Sequence, residues 1–423
     1  MTTTHPELDP RPVGPVRGGV LRERQFALLF AGQAISVLGD RVVLVAMPFA
    51  VLSLPGADLG DVGVVLGSSA GAIALFVLLG GVWGDRLPRQ RIMLASDLLR
   101  GVAQGLTAVL LLTGHANVLT LAVTQAIWGA AEAFFRPAAL GLIPQVVGAD
   151  QIQPANALLA LTSNVAMVAG PALAGVLVAV SGPGTALAVD AATFFLSAAA
   201  LARLHPKPAE PGPRTSLMVE LRGGWREVRS RTWVWSVILS FSAYHALVLP
   251  ALFILGPAVA RSERGGAAAW GVISAGFGIG AVLGSVLALR WRPARPGLVV
   301  AGALCIGATQ SGIVVSPLPT LVVALLEAVA GVGVATCFTV WDTALQERIP
   351  GPAQSRVGSF DYLGSLTLMP LGYLALGPVV ASIGSRATAA WATAISLAVT
   401  LTVAGGRDVR GLRRLPVTRP RER

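Results

Sequence analysis

The sequence predicts an all-α polytopic membrane protein, with twelve transmembrane helices in two pseudo-symmetric six-helix bundles. Three observations predict this. Only 13% of its 423 residues are charged and 54% are apolar, with a mean hydropathy of +0.71; a soluble domain carries about 25% charged residues. Apolar stretches recur at intervals that fit bilayer spans of roughly 20 residues. The charges between them are segregated to alternate loops.

The spans are expected near 26–54, 61–84, 92–113, 117–141, 155–180 and 185–203, then 233–257, 268–289, 297–315, 319–343, 357–382 and 386–404. Pro48, Pro171, Pro250 and Pro370 fall inside them, where neighbouring helices can satisfy the freed backbone groups. Residues 1–25 form a polar, Pro-rich tail. The apolar run that follows is too long for the core of a signal peptide and has no convincing cleavage site, so it reads as the first span. The bundles are residues 26–203 and 233–404, joined by a linker at 204–232 and followed by a basic tail at 405–423.

An even number of spans puts both termini on one side, and the distribution of Lys and Arg says which. Twenty-seven of them lie on the side of the tails, and only Arg261, Arg264 and Arg386 lie opposite. Both termini are therefore expected in the cytoplasm. Arg outnumbers Lys 31 to 1 amid heavy Ala, Gly and Val use, which points to a GC-rich bacterial genome, and the expected location is the bacterial cytoplasmic membrane. A net charge of +11 could signal nucleic acid, but that would need one continuous solvated basic face. Cys305 and Cys337 lie in separate apolar segments and His5, His115, His205 and His245 are scattered, so no metal site, disulfide framework or cofactor is expected. The phosphate-binding Gly-x-x-x-x-Gly-Lys-Ser/Thr loop is absent, so a nucleotide is not expected as the direct energy source.

The linker opens with His205-Pro-Lys-Pro-Ala-Glu-Pro-Gly-Pro, an extended Pro-rich segment. It continues into an amphipathic helix with Leu217, Leu221, Trp225 and Val228 on one face and basic flanks, suited to anionic headgroups. Short repeats relate the bundles. Arg136 to Pro144 echoes Asp342 to Pro350 at an offset of 206, and Met167-x-x-Gly170-x-x-x-x-Gly175 echoes Met369-x-x-Gly372-x-x-x-x-Gly377 at 202. Two parallel halves are a transporter signature, with the site between them at mid-membrane.

The loop after the second span reads Gly80-Gly81-Val82-Trp83-Gly84-Asp85-Arg86-Leu87-Pro88-Arg89-Gln90-Arg91. It resembles the cytoplasmic loop motif of the major facilitator superfamily at Gly81, Asp85, Arg86, Arg89 and Arg91; Pro88 stands where the family usually has Gly. The resemblance implies the major facilitator fold, with the Asp85 loop latching onto the start of the eleventh span near Val357 in the outward-facing state. Ser36-Val-Leu-Gly-Asp40, Phe135-Arg-Pro137 and Gln346-Glu-Arg-Ile-Pro350 are similar to the macrolide-efflux and enterobactin-exporter branch. Gly170, Pro171 and Gly175 resemble the exporter motif of the fifth span, although Ala166 and Ala174 replace its usual Gly.

An ionisable group in a span costs about 2.5–3.5 kcal/mol or more at mid-bilayer, so it is a functional candidate by default. Asp40, beside Arg41, and Glu132, four residues before Arg136, are the proton-coupling candidates; structural ion pairs are the other reading. Arg100 is expected to pair with Asp97. Asp190 and Glu327 fall nearer the opposite surface. Gln33, Trp128, Tyr244, His245 and Glu327 are the cavity candidates, and Phe134, Phe135, Trp341 and Tyr362 could also meet an apolar substrate. The expected function is proton-coupled export of an amphipathic small molecule by a monomer. Nutrient uptake or facilitated diffusion is the alternative, followed by a membrane-embedded enzyme or a non-transporting receptor.

Overall fold

A computed structural model describes residues 19–207 and 217–414. Among them, eleven helices are long and apolar enough to cross a membrane. One of these, Ile152–Ala202, has 51 residues. At 1.5 Å per residue it would measure about 76 Å, over twice the hydrocarbon thickness. It breaks at Gly182, whose φ of 78° and ψ of 166° are not helical, and it therefore makes two spans.

The twelve spans are α1 (Arg24–Leu52), α2 (Leu59–Arg86), α3 (Arg89–Leu112), α4 (Val118–Val146), α5 (152–181) and α6 (183–202). The second half comprises α7 (Thr232–Glu263), α8 (Ala267–Arg290), α9 (Pro296–Val314), α10 (Thr320–Arg348), α11 (Val357–Ile383) and α12 (Ser385–Gly405). Caps fix where helices begin. The Asp58 carboxylate accepts from the Gly60 and Asp61 amides at 2.7 and 3.0 Å, and Asp61 accepts from the Asp58 amide at 2.9 Å. Asn117 and Thr120 close the same reciprocal box on α4. A wide π turn, Tyr244–Val248, interrupts α7.

The two halves repeat one another down to backbone torsions. Gly384 turns α11 into α12 with φ 82° and ψ 160°, as Gly182 turns α5 into α6; only glycine adopts this region at no steric cost. The glycine repeats are also equivalent in packing. Gly170 of α5 lies against Arg41 of α1, and Gly372 of α11 lies against Ala246 of α7. Gly175 of α5 meets Ala267 and Gly271 of α8, and Gly377 of α11 meets Gly60 of α2. At each a Cβ would collide with its neighbour, so bare backbones allow the close approach that drives helix association in lipid.

The hydrophobic cores show how the halves sit. One cluster draws on both: Met47, Val51, Val62, Leu255, Trp270 and Tyr373 are among its members, all toward the ends away from the termini. On the termini side each half has its own cluster, one around Phe26, Met93 and Leu142 and the other around Phe241, Val300 and Trp341. The halves are thus joined on the side away from the termini, where Arg261 of α7 also donates to the Leu52 carbonyl of α1. The linker helix Leu217–Arg229 packs on the C-terminal half, with Val228 buried and Trp225 6.0 Å from the Phe360 ring. Residues 1–18, 208–216 and 415–423, which include most of the N-terminal tail, part of the C-terminal tail and most of the Pro-rich segment, lie outside the described residues, as do the side chains of Leu217 and Leu221.

Candidate functional site

Asp40, Arg100 and Glu132 sit near the midpoints of α1, α3 and α4. Arg100 is 1% exposed. Its guanidinium donates to Glu132 Oε2 at 2.6 Å and pairs with Asp97 one turn away. The Phe135 and Phe194 rings flank it, their centroids 4.0 and 4.5 Å from Cζ. Stacked aromatics and two carboxylates leave this cation fixed, a use to which the planar guanidinium is better suited than an ammonium.

Glu132 has a second partner, since Arg136 Nε reaches its Oε1 at 3.2 Å. This is the i, i+4 pair expected from sequence, and Arg136 lies inside α4, so it does not count toward the charge of the termini-side loops. It also crosses between the halves, donating to the Tyr362 hydroxyl of α11 at 2.9 Å. A continuous polar chain therefore runs Asp97–Arg100–Glu132–Arg136–Tyr362. Asp40 is within electrostatic reach of Arg100, Glu132, Arg41 and Asp97, and Arg41 is within reach of Arg136 and Glu132.

The other candidates divide by location. Trp128, one turn before Glu132, is half-buried, and its indole N–H has no partner among the described residues. Gln33 is half-buried in α1, with its amide nitrogen likewise unpartnered. His245 lies at the π turn of α7, against Tyr244 and Phe338, with Nδ1 2.8 Å from the Phe241 carbonyl. Tyr244 and Glu327 are buried inside the C-terminal half. Tyr244 donates to Gln310 Oε1 at 2.5 Å, and Gln310 donates to Glu327 Oε2 at 2.8 Å. Asp190, buried in α6, accepts from Gln104 at 3.0 Å and lies against Gly39 of α1. Gly170, Pro171 and Gly175 are buried at the α1 and α8 contacts.

Of the loop motif, Arg89 donates to the Gly141 carbonyl of α4 at 2.5 Å, and Gln90 donates to the Leu201 and Leu204 carbonyls after α6 at 2.7 and 2.8 Å. Arg91 is exposed. Gly81 lies within α2, and the side chains of Asp85 and Arg86 are outside those described. Two contributors were not singled out from sequence. Asp361 of α11 accepts from the Trp341 indole at 3.0 Å, and its other oxygen is buried without a partner among the described residues. As a carboxyl inside a predicted span it carried the signal. Tyr362 was named only as an aromatic; its hydroxyl contact with Arg136 spans 226 residues and leaves no local pattern. Among the described residues no group of His, Cys, Asp and Glu could hold a metal ion.

The model of the Major Facilitator Superfamily matches residues 29–366. The chain belongs to the Major Facilitator Superfamily. It is a multi-pass membrane transporter of that superfamily, not an enzyme. It is 28% identical over 380 residues to the multidrug efflux pump Tap of Mycobacterium tuberculosis, covering 86% of this chain and 88% of that one. It is also 25% identical over 280 residues to the enterobactin exporter EntS of Salmonella typhimurium, covering 65% and 66%. The superfamily fold is shared with the nucleoside transporter NupG, with a TM-score of 0.68 at 13% identity over 90% of this chain and 98% of that one. A bacterial homologue of the iron transporter ferroportin matches with a TM-score of 0.66 at 17% identity over 92% and 100%.

Proposed function

We propose that this protein exports an amphipathic small molecule from the cytoplasm by alternating access, driven by protons, as a monomer with both termini cytoplasmic. The observation that carries this reading is the charged chain from Asp97 to Tyr362. It runs from mid-depth toward the termini side, includes carboxylates whose partners are arginines, and ends on the opposite half. A carboxylate that trades an Arg contact for a proton changes the charge of the site, and so alters which arrangement of the halves is stable. The segregation of Lys and Arg supports the orientation, and the relatives named as exporters support the direction. Asp40 is the primary proton carrier, because it stands in α1 within reach of Arg41 and Arg100, while Glu132 is held between two arginines. The Asp85 loop is the latch that closes the termini side when the halves rock.

The test uses the full chain in proteoliposomes. An imposed proton gradient should drive uphill movement of an amphipathic dye, and reversing the gradient should reverse it. Asp40→Asn should lose uphill movement by at least about tenfold while keeping exchange between equal pools, which needs no net proton transfer. Uphill movement by Asp40→Asn would remove Asp40 from the coupling. A wild-type protein indifferent to the gradient would remove protons from it.

A further inference from the structure

We infer that the place occupied by the Arg136 guanidinium is a seat for the positive group of the substrate. The substrate is then an amphipathic organic cation that displaces Arg136 as it binds. This rests on the reading of the chain as a small-molecule transporter, and it adds the charge class of the substrate and the step by which its arrival is sensed.

Glu132 holds two arginines that could hardly differ more. Arg100 is sealed between rings and is 1% exposed, whereas the Arg136 side chain is 59% exposed. Arg100 is a built-in counter-ion, and Arg136 sits at the open edge of the same carboxylate with the longer contact, 3.2 against 2.6 Å. The surroundings of its guanidinium are those of a cation site. A carboxylate lies on one side, a phenol hydroxyl accepts at 2.9 Å, and the Tyr362 ring centroid is 5.8 Å from Cζ, within the range of a cation–π contact. Trp128, one turn before Glu132 on the same face of α4, offers an apolar surface for the remainder of a ligand.

The charge balance favours a cation. In the N-terminal half, Asp40, Asp97, Glu132 and Asp190 stand against Arg41, Arg100 and Arg136. The neighbouring α11 adds Asp361, beside Tyr362. With these carboxyls ionised the arginines are not in excess, although Arg41 has no ion pair among the described residues. If Arg136 swings away, the site lacks one positive charge, and an organic cation restores it. Displacement also breaks the Arg136–Tyr362 bond, which ties α4 to α11 across the halves. Occupancy is thereby converted into freedom of α11 to move.

The full chain in lipid nanodiscs can be titrated calorimetrically with tetraphenylphosphonium and with its anionic counterpart of equal shape, tetraphenylborate. Wild type should bind the cation and not the anion. Arg136→Gln should tighten the cation by about five- to tenfold, because no internal rival remains for Glu132, and Glu132→Gln should weaken it by about tenfold. Tyr362→Phe keeps the ring but removes the hydroxyl that holds Arg136, so it should tighten cation binding by about two- to threefold. It also preserves the test if a charge variant fails to fold. Cation binding that weakens in Arg136→Gln, or stays equal in both charge variants, would overturn the seat. Preferred binding of tetraphenylborate that depends on Arg136 would make Arg136 an anion anchor and overturn it as well. These titrations read binding alone, so a protein that binds in the stated order yet moves nothing in vesicles would refute the transport reading and leave the seat standing.

Discussion

The two halves have one architecture and two interiors. Gln104 of α3 and Gln310 of α9 are equivalent at an offset of 206, and Gln125 of α4 and Glu327 of α10 at an offset of 202, the same offsets that relate the short sequence repeats. Both pairs are hydrogen-bonded, in opposite directions: Gln125 of α4 donates to Gln104 of α3 at 2.9 Å, whereas Gln310 of α9 donates to Glu327 of α10 at 2.8 Å. Around this shared amide scaffold the N-terminal half adds arginines and carboxylates at mid-depth. The C-terminal half adds rings: Trp341 packs on Trp233 and Phe241, with centroids 5.5 and 5.7 Å apart, and Phe338 stacks on Phe241 at 5.2 Å. The duplicated scaffold carries the fold, and the chemistry that differs is divided between a half that can change its charge pairing and a half that presents a fixed wall.

The comparison breaks first at Arg100. Arg100→Leu leaves Asp97 without its counter-ion and Glu132 with only the exposed Arg136, and should destabilise the protein by about 3–5 kcal/mol. Arg100→Lys should rescue little, since an ammonium cannot serve two carboxylates between two rings. Thermal unfolding in detergent, read as the loss of the monodisperse peak, measures both. An intermediate effect is expected at the glycine contacts. Gly377→Leu would thrust a side chain into the Gly60 backbone, and Gly175→Leu would do the same at Ala267 and Gly271. Each should open the side away from the termini, increasing the distance between spin labels on the 54–58 and 315–319 loops once Cys305 and Cys337 are replaced. If only one of the two opens it, the halves are not mechanically equivalent. The smallest effect belongs to Glu327→Gln, which converts the C-terminal pair into the amide pair of the other half. It retains the acceptor for Gln310 and removes a buried charge, so unfolding should shift by about 1 kcal/mol or less. A large loss would show that the carboxyl has work the N-terminal half does without.

Much of this was legible in the sequence because membrane folding is written locally. Span lengths, loop charge and the glycine repeats need only a window of some twenty residues, and the helices fall close to the expected ranges. The Glu132–Arg136 pair was readable for the same reason, four residues being one turn. Arg100 was assigned only its neighbour Asp97; its contact with Glu132, 32 residues away, depends on how α3 packs on α4. Tyr244 and Glu327 were polar groups in spans and so suggested a cavity, whereas packing turns both toward Gln310. The amide pairs leave no mark in the sequence, because a lone Gln in an apolar helix has no periodic signature. The π turn in α7 gave no composition cue either.

The single-residue turns at Gly182 and Gly384 bear on how the protein is made. With one residue between α5 and α6, and one between α11 and α12, neither partner has slack to cross the bilayer and wait for the other. Each pair must leave the insertion machinery as a preformed hairpin, its two helices entering lipid together. Lengthening either turn would uncouple those events, so defects of this kind would appear in the yield of correctly threaded protein before they appeared in transport.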